Sequence, residues 1–384
     1  MKKVFYVLWA VAFLFGAFGV YQKLAYGDLF VNFGSRVVWG LWVAMYIYFI
    51  GLSAGAFLLS SLVYVFKMKI FEKLGKLALI TALITLICAL LSIWFDLGHQ
   101  WRFFEVFTTP NLPSSMMAWM IWLYTAYFLL LLGETLLAFR IDSGKLTGAK
   151  LVRKQRTLQI LASVGIPLAI AFHGGVGALF GVVASNPIWH SALTPIYFLV
   201  GAILSGCALL TMIFVFLWKD KTSEDYRQIS FLLGRIVLVT LLFDLLLEWS
   251  ELSISMWLGS STHTLGFKEM LYGHYWYVFW IIHILLGVIV PVVIFLVKSR
   301  KPYWVGLASL LVVFTFLGVR LNIVIPGLVT PKIAGMASAF FSKRLLYSYT
   351  PSSQEWLVGL FIVALGIALF YIGDKYLKLT NPHN

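Results

Sequence analysis

The sequence predicts an all-α polytopic membrane protein of about ten transmembrane helices, and three observations lead there. Of its 384 residues 61% are hydrophobic and only 11% charged, with a mean hydropathy of +0.93, more apolar surface than one water-soluble core can hide. Apolar runs of roughly 20 residues recur, each long enough to cross the ~30 Å hydrocarbon layer as a helix and far longer than barrel strands of about 10 residues. The 29 Lys and Arg, against 15 Asp and Glu, fall in short clusters between those runs, where topology signals belong, so the charge of +14 does not point to nucleic acid.

Spans are expected near residues 4–22, 37–66, 74–95, 116–139, 158–183, 192–218, 229–250, 272–297, 303–325 and 353–373. The first opens with Lys2 and Lys3 and has no small-residue cleavage site after Phe18-Gly19-Val20, so it reads as a retained anchor. Lys67, Lys69, Lys73 and Lys76 follow the second span, and Arg140, Lys145, Lys150, Arg153, Lys154 and Arg156 follow the fourth. Lys219, Lys221 and Arg227, then Lys298, Arg300 and Lys301, then Lys375 and Lys378 continue the series on the same side. The opposite side carries far fewer bases, among them Lys23, Arg36, Arg102, Lys268, Lys332, Lys343 and Arg344. This positive-inside bias puts both termini in the cytoplasm. The outer loops are rich in Trp, His, Pro and Asn, a composition suited to receiving a partner or roofing a site.

A short internal echo sets Tyr46, Gly55, Leu58 and Leu59 of the second span against Tyr197, Gly206, Leu209 and Leu210 of the sixth. It suggests two four-helix units related by duplication, in parallel rather than inverted order. The expected organisation is an N-terminal helix and outer segment (1–36), a first four-helix bundle (37–183), a second (184–325), and an outer loop with a C-terminal helix (326–384). Cys88 and Cys207 lie inside apolar runs without any Cys-x-x-Cys, so the chain offers no iron–sulfur, zinc or disulfide framework of its own.

An ionisable group at mid-membrane costs at least ~2.5 kcal/mol, so each must face protein, water or a ligand. Helical rise places His173, Asp244, Glu248 and Arg320 about 22–28 Å along outward-running spans, with Asp96 at an outer end. His99, Arg102, Trp189 and His190 reach that level from the outer loops. Asp244, Glu248 and Glu251, spaced i, i+4, i+7, share one face that has to look into the bundle. Asp244 and Arg320 read as an electrostatic support pair, although such a pair, like a carbonyl-bonded His173 or an interfacial Asp96 and Arg102, also suits a purely structural role. Deeper in, Glu134, Ser53, Tyr46, Tyr48 and His283 could relay protons toward the outer site, or Glu134 could simply reach the inner surface.

A pocket of histidine, carboxylate, arginine and aromatic residues at the outer level suits a quinone headgroup whose tail stays in lipid, since histidine and a partly buried carboxylate are natural proton partners for a quinol. His173, Glu248, Asp96 and His99 are the expected proton contacts, and Trp189, His190, Asp244, Arg320, Arg102 and Tyr46 the surrounding pocket. A haem between His173 and His283 is disfavoured because His283 lies about 8 Å deeper by helical rise. The alternatives are an ion or small-molecule transporter and a structural anchor with no quinone of its own.

Several runs carry a resemblance. Trp39-Gly-Leu-Trp-Val-Ala-Met-Tyr-Ile-Tyr-Phe-Ile-Gly-Leu-Ser-Ala-Gly55, Asp96-Leu-Gly-His99-Gln-Trp-Arg102-Phe-Phe, His173-Gly-Gly-Val-Gly177, Asn186-Pro-Ile-Trp-His190 into the sixth span, and Tyr349-Thr-Pro-Ser-Ser-Gln-Glu355-Trp resemble the NrfD family of polysulfide-reductase-type membrane subunits. With Arg320-Leu-Asn322-Ile-Val-Ile-Pro-Gly327, the chain is most similar to the ten-helix branch of DsrP/Hme-type and HybB-type proteins. The resemblance implies a prokaryotic inner-membrane subunit without intrinsic haem or iron–sulfur cluster. It would bind menaquinone or another quinone beside an extracytoplasmic ferredoxin-like [4Fe-4S] subunit, with cytochrome, molybdopterin or sulfur-metabolism subunits beyond. The chain departs from the family where His99-Gln100 replaces the usual Arg-Pro, which leaves the contacts of that arginine in doubt and His99 free to act as a proton donor.

Overall fold

A computed structural model describes residues 2–109, 111–112, 114–144, 146–257, 261–333, 335–339 and 342–381; Lys145 lies outside them. Among the described residues ten helices are long and apolar enough to cross a membrane: α1 Lys2–Tyr26, α2 Leu41–Tyr64, α3 Gly75–Asp96, α4 Met116–Asp142, α5 Gly148–Gly181, α6 Thr194–Leu217, α7 Glu224–Trp257, α8 Val278–Lys298, α9 Pro302–Val329 and α10 Ser353–Leu377. No strand occurs among the described residues. Each expected span finds its helix, but α5 and α7 run to 34 residues, about 51 Å at 1.5 Å per residue against a hydrocarbon layer of ~30 Å. Backbone hydrogen bonding continues the helix into charged sequence where hydropathy stops. A short helix, Ser261–Tyr272, lies between α7 and α8, and the first part of α8, Val278–Ile289, is wound as a π-helix. Neither feature was expected from the sequence.

Start signals are local. Ser115 accepts from Ala118 N at the head of α4, Pro195 and Pro302 occupy first-turn positions of α6 and α9, and Ser352 and Glu355 form a capping box on α10. Glu355 also takes the amides of Asn32 (3.0 Å) and Leu41 (3.4 Å) and the hydroxyl of Tyr349. Trp42 Nε1 donates to its carbonyl at 3.0 Å. One carboxylate thus fastens the head of α10 to the head of α2. Burial, and then the Glu355 carboxylate, push the Tyr349 hydroxyl's pKa up.

The most central helix is α2, with 94% of its apolar window buried, whereas the equivalent figure is 11% for α1 and 22% for α10. Around it the packing repeats four helices on. α2 packs on α3, α5 and α9, while α6 packs on α7, α9 and α5; α4 lies on α5 as α8 lies on α9; and α2 and α6 cross each other. At that crossing the two echoed glycines meet. A Cβ on Gly55 would overlap Ala202 O, and one on Gly206 would overlap the backbone at Gly55 and Ala56, so small residues allow the backbone contact that holds membrane helices together. α1 and α10 pair with each other and lie on the α2–α3 side.

Both termini share one face, because Tyr6 near the start of α1 bonds Tyr371 near the end of α10 at 3.0 Å. That face is the basic one: Lys219 N donates to Thr380 O at 3.1 Å, and Lys73–Asp225 and Lys76–Asp142 pair at 2.6 Å each.

Candidate functional site

At the end opposite the termini, α6, α7, α9 and the Ser261–Tyr272 helix border a partly open cavity. Ile188, Leu193, Leu247, Leu252, Phe267, Met270 and Val319 make most of its wall, and Tyr197, Glu248, Glu251 and Asn322 bring polar groups into it. Glu248 and Glu251 come from adjacent turns of α7, as their i, i+3 spacing requires. Ser191 Oγ donates to Glu251 at 2.8 Å. Asn322 Nδ2 has no hydrogen-bond partner among the described residues. Trp189 closes one side, its Nε1 donating to Ile323 O at 2.6 Å and its ring stacked on Trp39 with centroids 5.4 Å apart.

Glu248 faces two ways. It lines the cavity, and its Oε2 stands 3.4 Å from Nε2 of His283 on α8. That oxygen and His283 Nδ1 otherwise lack a partner among the described residues. Asp244, one turn deeper, is 3% exposed, and its Oδ1 is likewise without a partner.

Arg320 lies behind the cavity wall and is 0% exposed. Its guanidinium sits 4.8 Å from the ring centres of both Phe198 and Phe316, and none of its three nitrogens finds an acceptor among the described residues. Asp244 and Arg320, expected as an electrostatic support pair, form no ion pair in contact among the described residues, and the guanidinium rests against the Phe198 and Phe316 rings instead. Asp244 and Tyr197 act on Arg320 only through space. His173, also 0% exposed, bonds Phe198 O through Nε2 at 2.9 Å and leaves Nδ1 without a partner. A Cβ at Gly51 would stand 3.5 Å from His173 Cε1 and 3.6 Å from both Arg320 Nη2 and Ser205 Oγ. His173 and Arg320 thus meet at the centre of the molecule, behind the cavity and not in it. The glycines after His173 serve helix approach: Gly177 admits the backbone of Thr194 and Pro195, and Gly175 the sulfur of Met120.

The remaining sequence candidates lie elsewhere. Asp96 is at the outer end of α3 in the field of Lys23, Asp28 and Glu355. His99 is exposed. Arg102 is exposed and bound by two contacts to Glu105, 2.6 and 3.0 Å, which lower the Glu105 carboxyl's pKa. The structure does not bring these three to the cavity, because the loop after α3 opens toward α1 and α10 while the cavity belongs to α6, α7 and α9. His190 is exposed and bonds Gly181 O at 2.7 Å, so its neighbour Trp189 is the residue that roofs the cavity. Tyr46 bonds Tyr124, and Tyr48 donates to Val313 O at 3.0 Å. Ser53 donates to Ala82 O at 2.8 Å and lies 3.4 Å from Tyr127. Glu134 is 0% exposed with both oxygens unpartnered among the described residues, so it does not reach the inner surface. Sequence reasoning passed over Tyr197 and Asn322 as site residues. Their signal was a polar side chain close in sequence to an already suspect position, Tyr197 following His190 by seven residues and Asn322 following Arg320 by two.

The fold defines an integral, multi-pass membrane protein with a cavity of mixed apolar and polar lining at the end opposite the termini. Residues 31–332 match the family described as polysulphide reductase, NrfD, and the chain belongs to the NrfD family. It is 37% identical to a subunit of the selenate reductase of Mesobacillus selenatarsenatis, over 99% of this chain and 95% of that protein. Identity to the Hdr-like menaquinol oxidoreductase integral membrane subunit of Archaeoglobus fulgidus is 29%, covering 90% and 86%. For the menaquinone reductase integral membrane subunit of Nitratidesulfovibrio vulgaris it is 22%, covering 97% and 92%.

Proposed function

We propose that this chain is the quinone-reactive membrane subunit of a respiratory oxidoreductase, and that the cavity between α6, α7 and α9 receives the headgroup of a menaquinone-type quinone. The observation that carries the proposal is Glu248: a carboxylate on the wall of a mostly apolar cavity, backed by a histidine 3.4 Å away. A flat, mostly apolar ring with two oxygens needs such a site, in which apolar walls take the ring and a few convergent polar groups take the oxygens. Two relatives bear names that include menaquinol or menaquinone, which favours that substrate class. In the oxidative direction a quinol gives two electrons to an iron–sulfur partner docked on the face opposite the termini and two protons to this chain. Tyr197, Glu248 and Asn322 hold the oxygens, and Glu248 takes a proton within hydrogen-bond reach. Trp189 and the Ser261–Tyr272 helix keep water out.

His173 and Arg320 support this site from behind, Arg320 by lending positive field to the cavity floor. Glu134, Tyr127 and Ser53, with the Tyr46–Tyr124 pair, form the polar column toward the opposite face. Asp96, His99 and Arg102 belong to the docking side. The basic face is cytoplasmic by the positive-inside rule. The repeated helix packing and the Gly55–Gly206 contact support two duplicated four-helix units.

The test is titration of a hydroxyquinoline N-oxide into the detergent-purified complex. Stoichiometric binding is expected. Glu248→Gln should lower quinol turnover by about a hundredfold or more, the contribution of a positioned general base, with the complex still assembled. An intact complex that binds no analogue would overturn the assignment.

A further inference from the structure

The π-wound stretch of α8 has a geometric consequence. At 3.6 residues per turn, Val278 and Gly287, nine apart, would stand on opposite sides of an α-helix. Here both face α9: Gly318 of α9 abuts Val278 and Ile282, and Gly287 lies against Thr315, one turn earlier on the same helix. With that stripe fixed on α9, the adjacent stripe of Phe279, His283 and Val288 is buried as well, and His283 is delivered to Glu248 on α7. Extended π-winding is rare, and its single-turn form concentrates at functional sites. Packing alone would be served by an α-helix with apolar residues, yet the side chain presented to α7 is an imidazole.

Resting on the reading of the cavity as a quinol site, we propose that His283 is the positioning residue that receives the quinol proton from Glu248, and that the π-winding of Val278–Ile289 holds it there. The exchange balances simply. One quinol hydroxyl proton passes to the Glu248 carboxylate and on from its Oε2 to Nε2 of neutral His283, which becomes an imidazolium beside it; the second hydroxyl proton then goes to the regenerated Glu248 carboxylate, and the two electrons leave separately to the iron–sulfur partner. The 3.4 Å separation is longer than a working hydrogen bond, as is common before substrate is bound. No other described side chain forms an ion pair with Glu248.

The experiment uses the purified complex, a short-chain naphthoquinol and an artificial electron acceptor. His283→Gln keeps size and polarity but carries no proton, and His283→Leu removes the polar contact. Both should lower kcat by about a hundredfold, leave KM and N-oxide affinity unchanged, and raise the solvent deuterium effect on kcat. Deleting Leu285, which is exposed, removes one residue between His283 and the α-wound half of α8. A shift of roughly a quarter turn should swing the imidazole away from Glu248 and reproduce the same kcat loss. Wild-type kcat in His283→Gln overturns the proposal, and so does joint loss of turnover and analogue binding, which would make His283 part of the cavity's shape. Failure of the wild-type complex to bind the analogue strikes the cavity reading itself and is seen before any variant is made.

Discussion

Arg320 shows how far single residues could be read from the sequence. Its position on an outward-running span gave its depth, and a charge at that depth had to be buried. Its partner could not be read, because whether Asp244 or two phenyl rings meet the guanidinium depends on helix rotation that no spacing rule supplies. The arrangement leads to a prediction. A buried charge without a direct counter-ion adds little to stability and can be replaced by an apolar residue of similar volume at no cost. Arg320→Met should therefore leave the thermal midpoint of the purified protein unchanged or raised while lowering quinol turnover. A lower midpoint with normal turnover would make Arg320 a structural residue. Glu248 was legible for a different reason: three carboxylates on one helical face have only one acceptable direction in a membrane. Asp96 and His99 share an end of the molecule with the cavity but do not line it, since depth is one coordinate of three.

Among the elements, the ten spans were legible because each is an uninterrupted apolar run, and their ends were not, because helices such as α5 and α7 continue into charged sequence. The Ser261–Tyr272 helix was hidden by its length of 12 residues, and the winding of α8 by the absence of any sequence marker for π-geometry. The α2–α6 crossing was half visible in the Gly55 and Gly206 echo. It supplies the clearest stability test. A Cβ on Gly206 meets backbone atoms at Gly55 and Ala56, whereas one on Gly174 meets nothing within 4 Å. Gly206→Ala should destabilise by about 1–3 kcal/mol, the range for overpacking, and Gly174→Ala should have no measurable effect. Thermal unfolding in detergent checks both, and equal effects would contradict the close crossing.

At the scale of the whole molecule, alternation of basic and base-poor loops implied that the termini share a face, and the contact of Tyr6 with Tyr371 agrees. The site sits at the opposite end, off the central axis and within the α6–α9 half, while α1 and α10 lie on the other half. Under the proposed function, a quinone tail would enter from lipid on the side that α1 and α10 leave open. The pattern of charges set the faces, but the off-centre position of the cavity arises from how the two halves are packed. The decisive measurement is a cryo-EM map of the isolated complex with a bound quinol-site inhibitor. The account predicts ring density bounded by Trp189, Tyr197, Glu248 and Asn322; ring density beside Asp96 and His99, with this cavity filled by side chains alone, would contradict it.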